Sequence, residues 1–160
     1  MKRHSPASLS LSPANSPLAT LAPSYEALKG LYGVMVVIAV DEAPERLKEA
    51  GVTKARLVPM VEQELQRNGI RVMDAEKMYA GAPVCILAFT SAFIENAFML
   101  HTDVIDGPAL SVFRSVRIDL PILWTDSTIS SRPNPENVQR VLLEMTGRFA
   151  TDYRKANPKK

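Results

Sequence analysis

Few residues in this chain could attack a carbonyl or move a proton near neutral pH. They are Cys85, its single cysteine, and its two histidines, His4 and His101. A thiol beside an imidazole can be held as a thiolate and act as a nucleophile. If the chain folds back on itself about residue 93, Cys85 and His101 sit opposite each other on neighbouring strands. Against that, Cys85 alternates with Leu87 and Phe89, and on such a face cysteine serves as a small core hydrophobe. A one-residue slip in register also separates the pair. Glycosidase-like or proton-transfer chemistry needs two carboxylates held across a cleft. Asp41, Glu42, Asp103, Asp106 and Asp119 are available, but nothing in their spacing singles out a pair. Metal binding needs convergent His, Cys or carboxylate ligands, and no HExxH, CxxC or EF-hand spacing occurs. Gly30-Leu31-Tyr32-Gly33 precedes a strand, the wrong order for cradling a phosphate at a helix N-terminus. No catalytic residue, metal ligand or cofactor is assigned on this basis. What remains is surface. Arg117 and Asp119 lie on an otherwise apolar strand with Trp124 near its end, a weak candidate patch for a partner strand. In the competing reading Arg117 and Asp119 form a solvated outer face and Trp124 is core.

The elements that must position these residues are organised around 53–73 (TKARLVPMVEQELQRNGIRVM). Leu57, Val61 and Leu65, with Val58 beside them, predict an amphipathic helix over 53–68, kinked at Pro59. Asn68-Gly69 is the expected helix stop, and residues 70–73 begin an alternating strand. Upstream, the valine-rich run 31–40 predicts an interior strand apolar on both faces. Pro44 and Gly51 bracket a single helical turn. Downstream, 84–92 predicts a strand, with 97–105 returning as its antiparallel hairpin partner after Glu95-Asn96. A third meander strand is expected over 111–125, with Val112, Val116, Ile118, Leu120, Ile122 and Trp124 on one side. Pro121 marks that strand as an edge or as bulged. Residues 125–133 read as a loop. Asn134-Pro135-Glu136 then starts a closing helix carrying Val138, Val141, Leu142, Met145, Phe149 and Tyr153 at helical spacing.

The 160 residues are 46% hydrophobic and 22% charged, ordinary for one globular domain. A net charge of +2 without a clustered basic stripe argues against nucleic acid as a partner. No apolar run reaches the length of a transmembrane span. A lone cysteine excludes an intrachain disulfide and leaves the redox compartment open. Residues 1–24 carry Pro6, Pro13, Pro17 and Pro23 among serines and predict a disordered tail. Lys2-Arg3-His4, followed by a proline-broken apolar run, also fits a degenerate export signal.

Several short stretches resemble a family of small, usually exported bacterial proteins of unknown function. They are Leu28-Lys29-Gly30-Leu31, Ala50-Gly51-Val52-Thr53, Val61-Glu62, Gly69-Ile70-Arg71-Val72 and Gly81-Ala82-Pro83, with Trp124 and Ala156-Asn157-Pro158 at the end. The order of elements is also similar to the N-terminal α/β domain of TolB. The resemblance implies a periplasmic or envelope address; the chain is cytoplasmic if 1–24 is not a signal. The expectation is one α+β domain over 25–158, with two main helices on one face of a four- to five-stranded, mixed, mostly antiparallel sheet. The expected function is non-enzymatic: binding another protein through a sheet edge or open sheet face. The alternatives are a small enzyme or ligand-binding protein with a pocket between helices and sheet, and a homo-oligomer joined through the sheet face.

Overall fold

A computed structural model describes residues 25–74, 84–107 and 122–159. A 3₁₀ turn, Tyr25–Leu28, leads into β1 (Gly33–Ala39). The short α1 (Glu45–Glu49) and the longer α2 (Lys54–Arg67) follow. Then come β2 (Val84–Ile94), β3 (Ala97–Asp106), β4 (Ile122–Ser131) and α3 (Pro135–Ala156). The strands form one sheet in the order β1-β2-β3-β4. β1 and β2 run parallel, and the other two pairings are antiparallel. Parallel neighbours need a crossover, which α1 and α2 help to supply. The fold is α+β, as the patterning predicts, with α2 and α3 as its two principal helices.

Both helices form where their residues dictate. In α2, Leu57, Val61 and Leu65 are buried, and Pro59 lies inside the helix without ending it. Gly69 at φ +74° lets the chain leave α2, with its N–H donating to Gln66 O and the Ile70 N–H to Leu65 O. Those bonds satisfy carbonyls the helix end would otherwise orphan. In α3, Asn134 Oδ1 accepts from the Asn137 N–H at 2.8 Å, and Pro135 occupies the first turn. Its buried residues include Val138, Val141, Leu142, Met145 and Phe149. This stripe joins Val34, Val36 and Ile38 of β1, Cys85, Leu87 and Phe89 of β2, and Phe98, Leu100 and Val104 of β3 in one core.

The structure corrects four expectations. First, residues 70–73 contribute only a single parallel bridge, Val34 to Val72, rather than a strand. Second, β1 is not an interior strand: it lies at an edge of the sheet, paired with β2 and bridged on its other side at Val34–Val72, and it is covered on one face, with Val34, Val36 and Ile38 buried and Val37 38% exposed. Third, most of the region read as a loop at 125–133 is strand, because β4 continues to Ser131. Its Ser/Thr-rich sequence gives no apolar alternation to betray it, since its helix-facing side meets polar partners. Arg148 of α3 reaches Asp126 Oδ2 and Thr128 Oγ1, both at 2.7 Å, and Asn137 Nδ2 donates to Ser130 Oγ. Fourth, Ile122 and Trp124 do not share a face. A bulge between Val104 and Ile105 pairs Val104 with Trp124 but Ile105 with Ile122. One extra residue in a strand reverses the side-chain alternation, leaving Trp124 buried and Ile122 56% exposed. β4 is an edge strand of the sheet; Pro121 and the rest of the strand expected before it lie outside the described residues.

Candidate functional site

The pairing of Cys85 with His101 does not form. The hairpin turns at Glu95-Asn96, two residues beyond position 93, so Cys85 lies opposite Asp106 and His101 opposite Thr90. The difference in register is an odd number of residues, which puts the two side chains on opposite faces. Cys85 points into the core beneath the helices, its Sγ 3.7 Å from Gly33 O. Burial pushes its thiol up from 9.0 to about 12, the opposite of what a nucleophilic cysteine requires. Folding therefore favours the protonated thiol, and stability conferred by Cys85 falls as pH rises above the unfolded value near 9. The slope is about 1.4 kcal/mol per pH unit. Urea unfolding from pH 8 to 11 should show this loss in the parent protein and lack that component in Cys85→Ala. The native thiol should also stay unreactive to a thiol reagent at pH 8.

His101 instead belongs to the outer face of the sheet, away from the helices. The register sorts that face into rows running across the strands. Met35, Ile86, Ile105 and Ile122 make the first, and Val37, Ala88, Asp103 and Thr125 the second. Ala39, Thr90, His101 and Ser127 make the third, Ala92, Met99 and Ile129 the fourth, and Ile94, Ala97 and Ser131 the fifth. Within these rows His101 Nδ1 lies 2.6 Å from Ser127 Oγ, and Nε2 lies 3.0 Å from Asp103 Oδ1. The second approach is close but not aligned as a hydrogen bond, so Asp103 Oδ1 is buried without a donor among the described residues. Serine, histidine and aspartate in this order are the ingredients of a nucleophile and its base. Such chemistry also needs donors aimed at a developing oxyanion, and the Ser127 N–H is already taken up by Asp126 Oδ1 at 2.8 Å. Sequence reading missed this cluster because Ser127 meets His101 and Asp103, two residues apart on β3, only across strands, at a spacing of 26 residues from His101 that register fixes.

The face differs from an ordinary solvated one. An antiparallel sheet with one side in water alternates apolar-in with polar-out. Here the outward positions of all five rows carry no Lys, Arg or Glu. Val37 (38%), Met99 (39%), Ile122 and Ile129 (77%) present apolar surface instead. The other candidates for binding are placed differently. Trp124 is buried, edge-on to Phe149 with ring centroids 5.5 Å apart, its Nε1–H donating to Asp152 Oδ2 at 3.1 Å. Arg117 and Asp119 lie outside the described residues. Between helices and sheet, the space lined by Ile38, Leu57, Phe89, Leu100, Val138 and Leu142 has no room for a water-sized molecule. No group of three or more His, Cys, Asp or Glu side chains that could hold a metal occurs among the described residues. Nor is any helix among them long and apolar enough to cross a membrane.

No family model and no curated protein match the chain. Two solved structures to which the chain is similar are distant in both sequence and fold. The PelC dodecamer from Paraburkholderia phytofirmans is 15% identical over 74% of this chain and 87% of that one, with a TM-score of 0.43. Lipoprotein GNA1162 from Neisseria meningitidis is 18% identical over 81% of this chain and 99% of that one, with a TM-score of 0.28. These small bacterial proteins are what the chain is similar to in outline, and at such scores the likeness carries no functional argument.

Proposed function

We propose that the chain is a non-enzymatic, envelope-associated protein-binding module that engages its partner through the outer face of the sheet. The observation supporting this reading is the composition of that face: exposed Val37, Met99, Ile122 and Ile129 with no Lys, Arg or Glu in their rows. Apolar side chains left in water forfeit roughly 25 cal/mol per Å² that burial would return, and a face rich in them reads as a binding surface. The polar strip of Thr90, His101, Asp103 and Ser127 supplies hydrogen-bonding groups within the apolar field, the mixture specific interfaces use. The envelope address rests on the basic start and apolar run of residues 1–24 and on the exported proteins the sequence resembles.

The test is capture from the native host with tagged full-length protein and with Ile129→Lys, whose 77% exposed side chain can change without disturbing the core. Partners taken by the parent chain should be lost at least tenfold in the variant, while circular dichroism stays unchanged. A partner retained equally by Ile129→Lys would place binding elsewhere. Recovery of the protein in the cytosol with Met1 intact would end the envelope assignment.

A further inference from the structure

The basic residues are scattered along the sequence, but the fold gathers six of them at one end of the domain. α2 and α3 both finish beside the start of β1. Arg71 O, just past α2, accepts from the Val34 N–H at 2.9 Å, and Tyr153, near the end of α3, donates to Leu31 O at 2.6 Å. Arg154 Nη1 reaches Asn68 Oδ1 at 2.9 Å and ties the two helix ends together. Lys159 Nζ stands 3.6 Å from where a Cβ on Gly69 would lie. Lys29 and Lys155 line one hollow with Tyr25 and Pro158, and the Arg71 guanidinium lies 4.1 Å over the Tyr32 ring. Lys29, Arg67, Arg71, Arg154, Lys155 and Lys159 are all exposed. We infer that this end of the domain docks on a membrane surface bearing anionic lipid headgroups.

Helix dipoles account for only half of the cluster. Arg67, Arg154 and Lys155 lie in last turns, where a cation is favoured in any helix. Lys29, Arg71 and Lys159 lie outside the α-helices and have no such reason to be there. Among the described residues, the acids at this end are Glu26, Glu64, Asp74, Asp106 and Asp152, of which only Glu26 and Asp74 are exposed. Glu64 is held by Arg67 at 3.7 Å and Asn68 Nδ2 at 2.9 Å, and Asp152 by Trp124 Nε1 at 3.1 Å and Lys155 Nζ at 3.2 Å. The charge turned to solvent is therefore mainly positive. The far end mixes both signs, with Glu45, Glu49 and Glu136 among Arg46, Arg56 and Arg132.

Two further features of the basic end select a bilayer over other polyanions. Tyr25 and Tyr32 are 43% and 47% exposed there, and the amphipathic ring of tyrosine favours the headgroup layer. Residues 1–24 join the domain at Tyr25, bringing Lys2, Arg3 and a leucine-bearing apolar run to the same place. Basic and apolar groups together are what hold a protein at an anionic membrane. Each Lys or Arg near such a surface adds to the attraction, and the effect fades within a Debye length. With the strands standing on this end, the outer face of the sheet stays open at the side. The docking surface is separate from that face and does not depend on what the face binds.

The experiment pellets the purified full-length chain with vesicles. It should bind equimolar phosphatidylcholine and phosphatidylglycerol, bind phosphatidylcholine alone at least tenfold more weakly, and be released by high salt. Lys29→Glu/Lys159→Glu should lower binding to the anionic vesicles at least tenfold with circular dichroism unchanged. Lys54→Glu/Arg56→Glu changes the net charge equally at the far end and should bind as the parent does. Equal loss in both double variants would assign the effect to net charge and overturn the inference. Full binding by Lys29→Glu/Lys159→Glu would place attachment in residues 1–24 alone and overturn it too. So would a parent chain that ignores anionic vesicles, or one that binds single-stranded RNA more tightly than those vesicles at the same salt. None of these failures bears on the capture test of the sheet face.

Discussion

Phe149→Ala should unfold at about 3–5 kcal/mol lower free energy than the parent protein, the largest loss expected from any single truncation here. Phe149 is fully buried on α3 and sits between two other rings, Trp124 at 5.5 Å edge-on and Tyr153 at 5.9 Å tilted. Removing it opens a cavity where α3 meets β4 and strips two aromatic contacts at once. A domain of this size has roughly 5–15 kcal/mol in total, so the variant should be at or near the limit of folding at 37 °C. Urea titration followed by the fluorescence of Trp124, the single tryptophan, measures the loss directly. Phe149→Leu keeps most of the volume and should cost less than about 1.5 kcal/mol. If both variants lose the same amount, cavity formation is not the cause.

Gly33→Val should be the second most damaging change, through a collision rather than a cavity. A Cβ at position 33 would lie 2.7 Å from Arg71 O and 2.8 Å from Met73 Cγ. The first of these is backbone and cannot swing aside. It also accepts the Val34 N–H at 2.9 Å, while the Met73 N–H donates to Val34 O at 2.8 Å. A side chain at 33 therefore pushes away the segment that closes the outer edge of β1 and breaks two hydrogen bonds. The expected cost is about 3 kcal/mol by overpacking, with loss of amide protection at Val34 and Met73 in hydrogen exchange. Gly30, with open space around its Cβ position but φ +79°, is the contrasting case. There Ala should cost about 1 kcal/mol through backbone strain alone.

How much of this was legible in the residues differs by element. The two helices were, because a stripe such as Leu57, Val61, Leu65 or Val138, Val141, Leu142, Met145 has one physical interpretation, and Asn68-Gly69 and Asn134-Pro135 punctuate it chemically. The hairpin was legible as a pair of strands but not in its register. Placing the turn at Glu95-Asn96 rather than at 93 moves His101 from beside Cys85 to beside Thr90, and no periodicity distinguishes these. β4 beyond Thr125 was invisible because Thr128 and Ser130 satisfy polar groups of α3 instead of filling a core, so its inward side looks like a loop. The cluster of His101, Asp103 and Ser127 depends on the register of β3 against β4.

The ties between the beginning and end of the described fold bear on the order of its assembly. Tyr153 donates to Leu31 O at 2.6 Å, the Gly30 N–H donates to Asn157 Oδ1 at 2.7 Å, and Asn157 Nδ2 donates to Leu28 O at 2.8 Å. These bonds join positions more than 120 residues apart in the chain. Contacts of such long range require loop closure before they return any energy, which slows folding. During synthesis β1, β2 and β3 emerge with their helix-facing apolar sides only half covered, since α2 is available but α3 is not. The nascent chain thus carries an unsealed groove the width of one helix until about residue 157 has cleared the ribosome. That interval, rather than the finished domain, is when this protein most needs a chaperone.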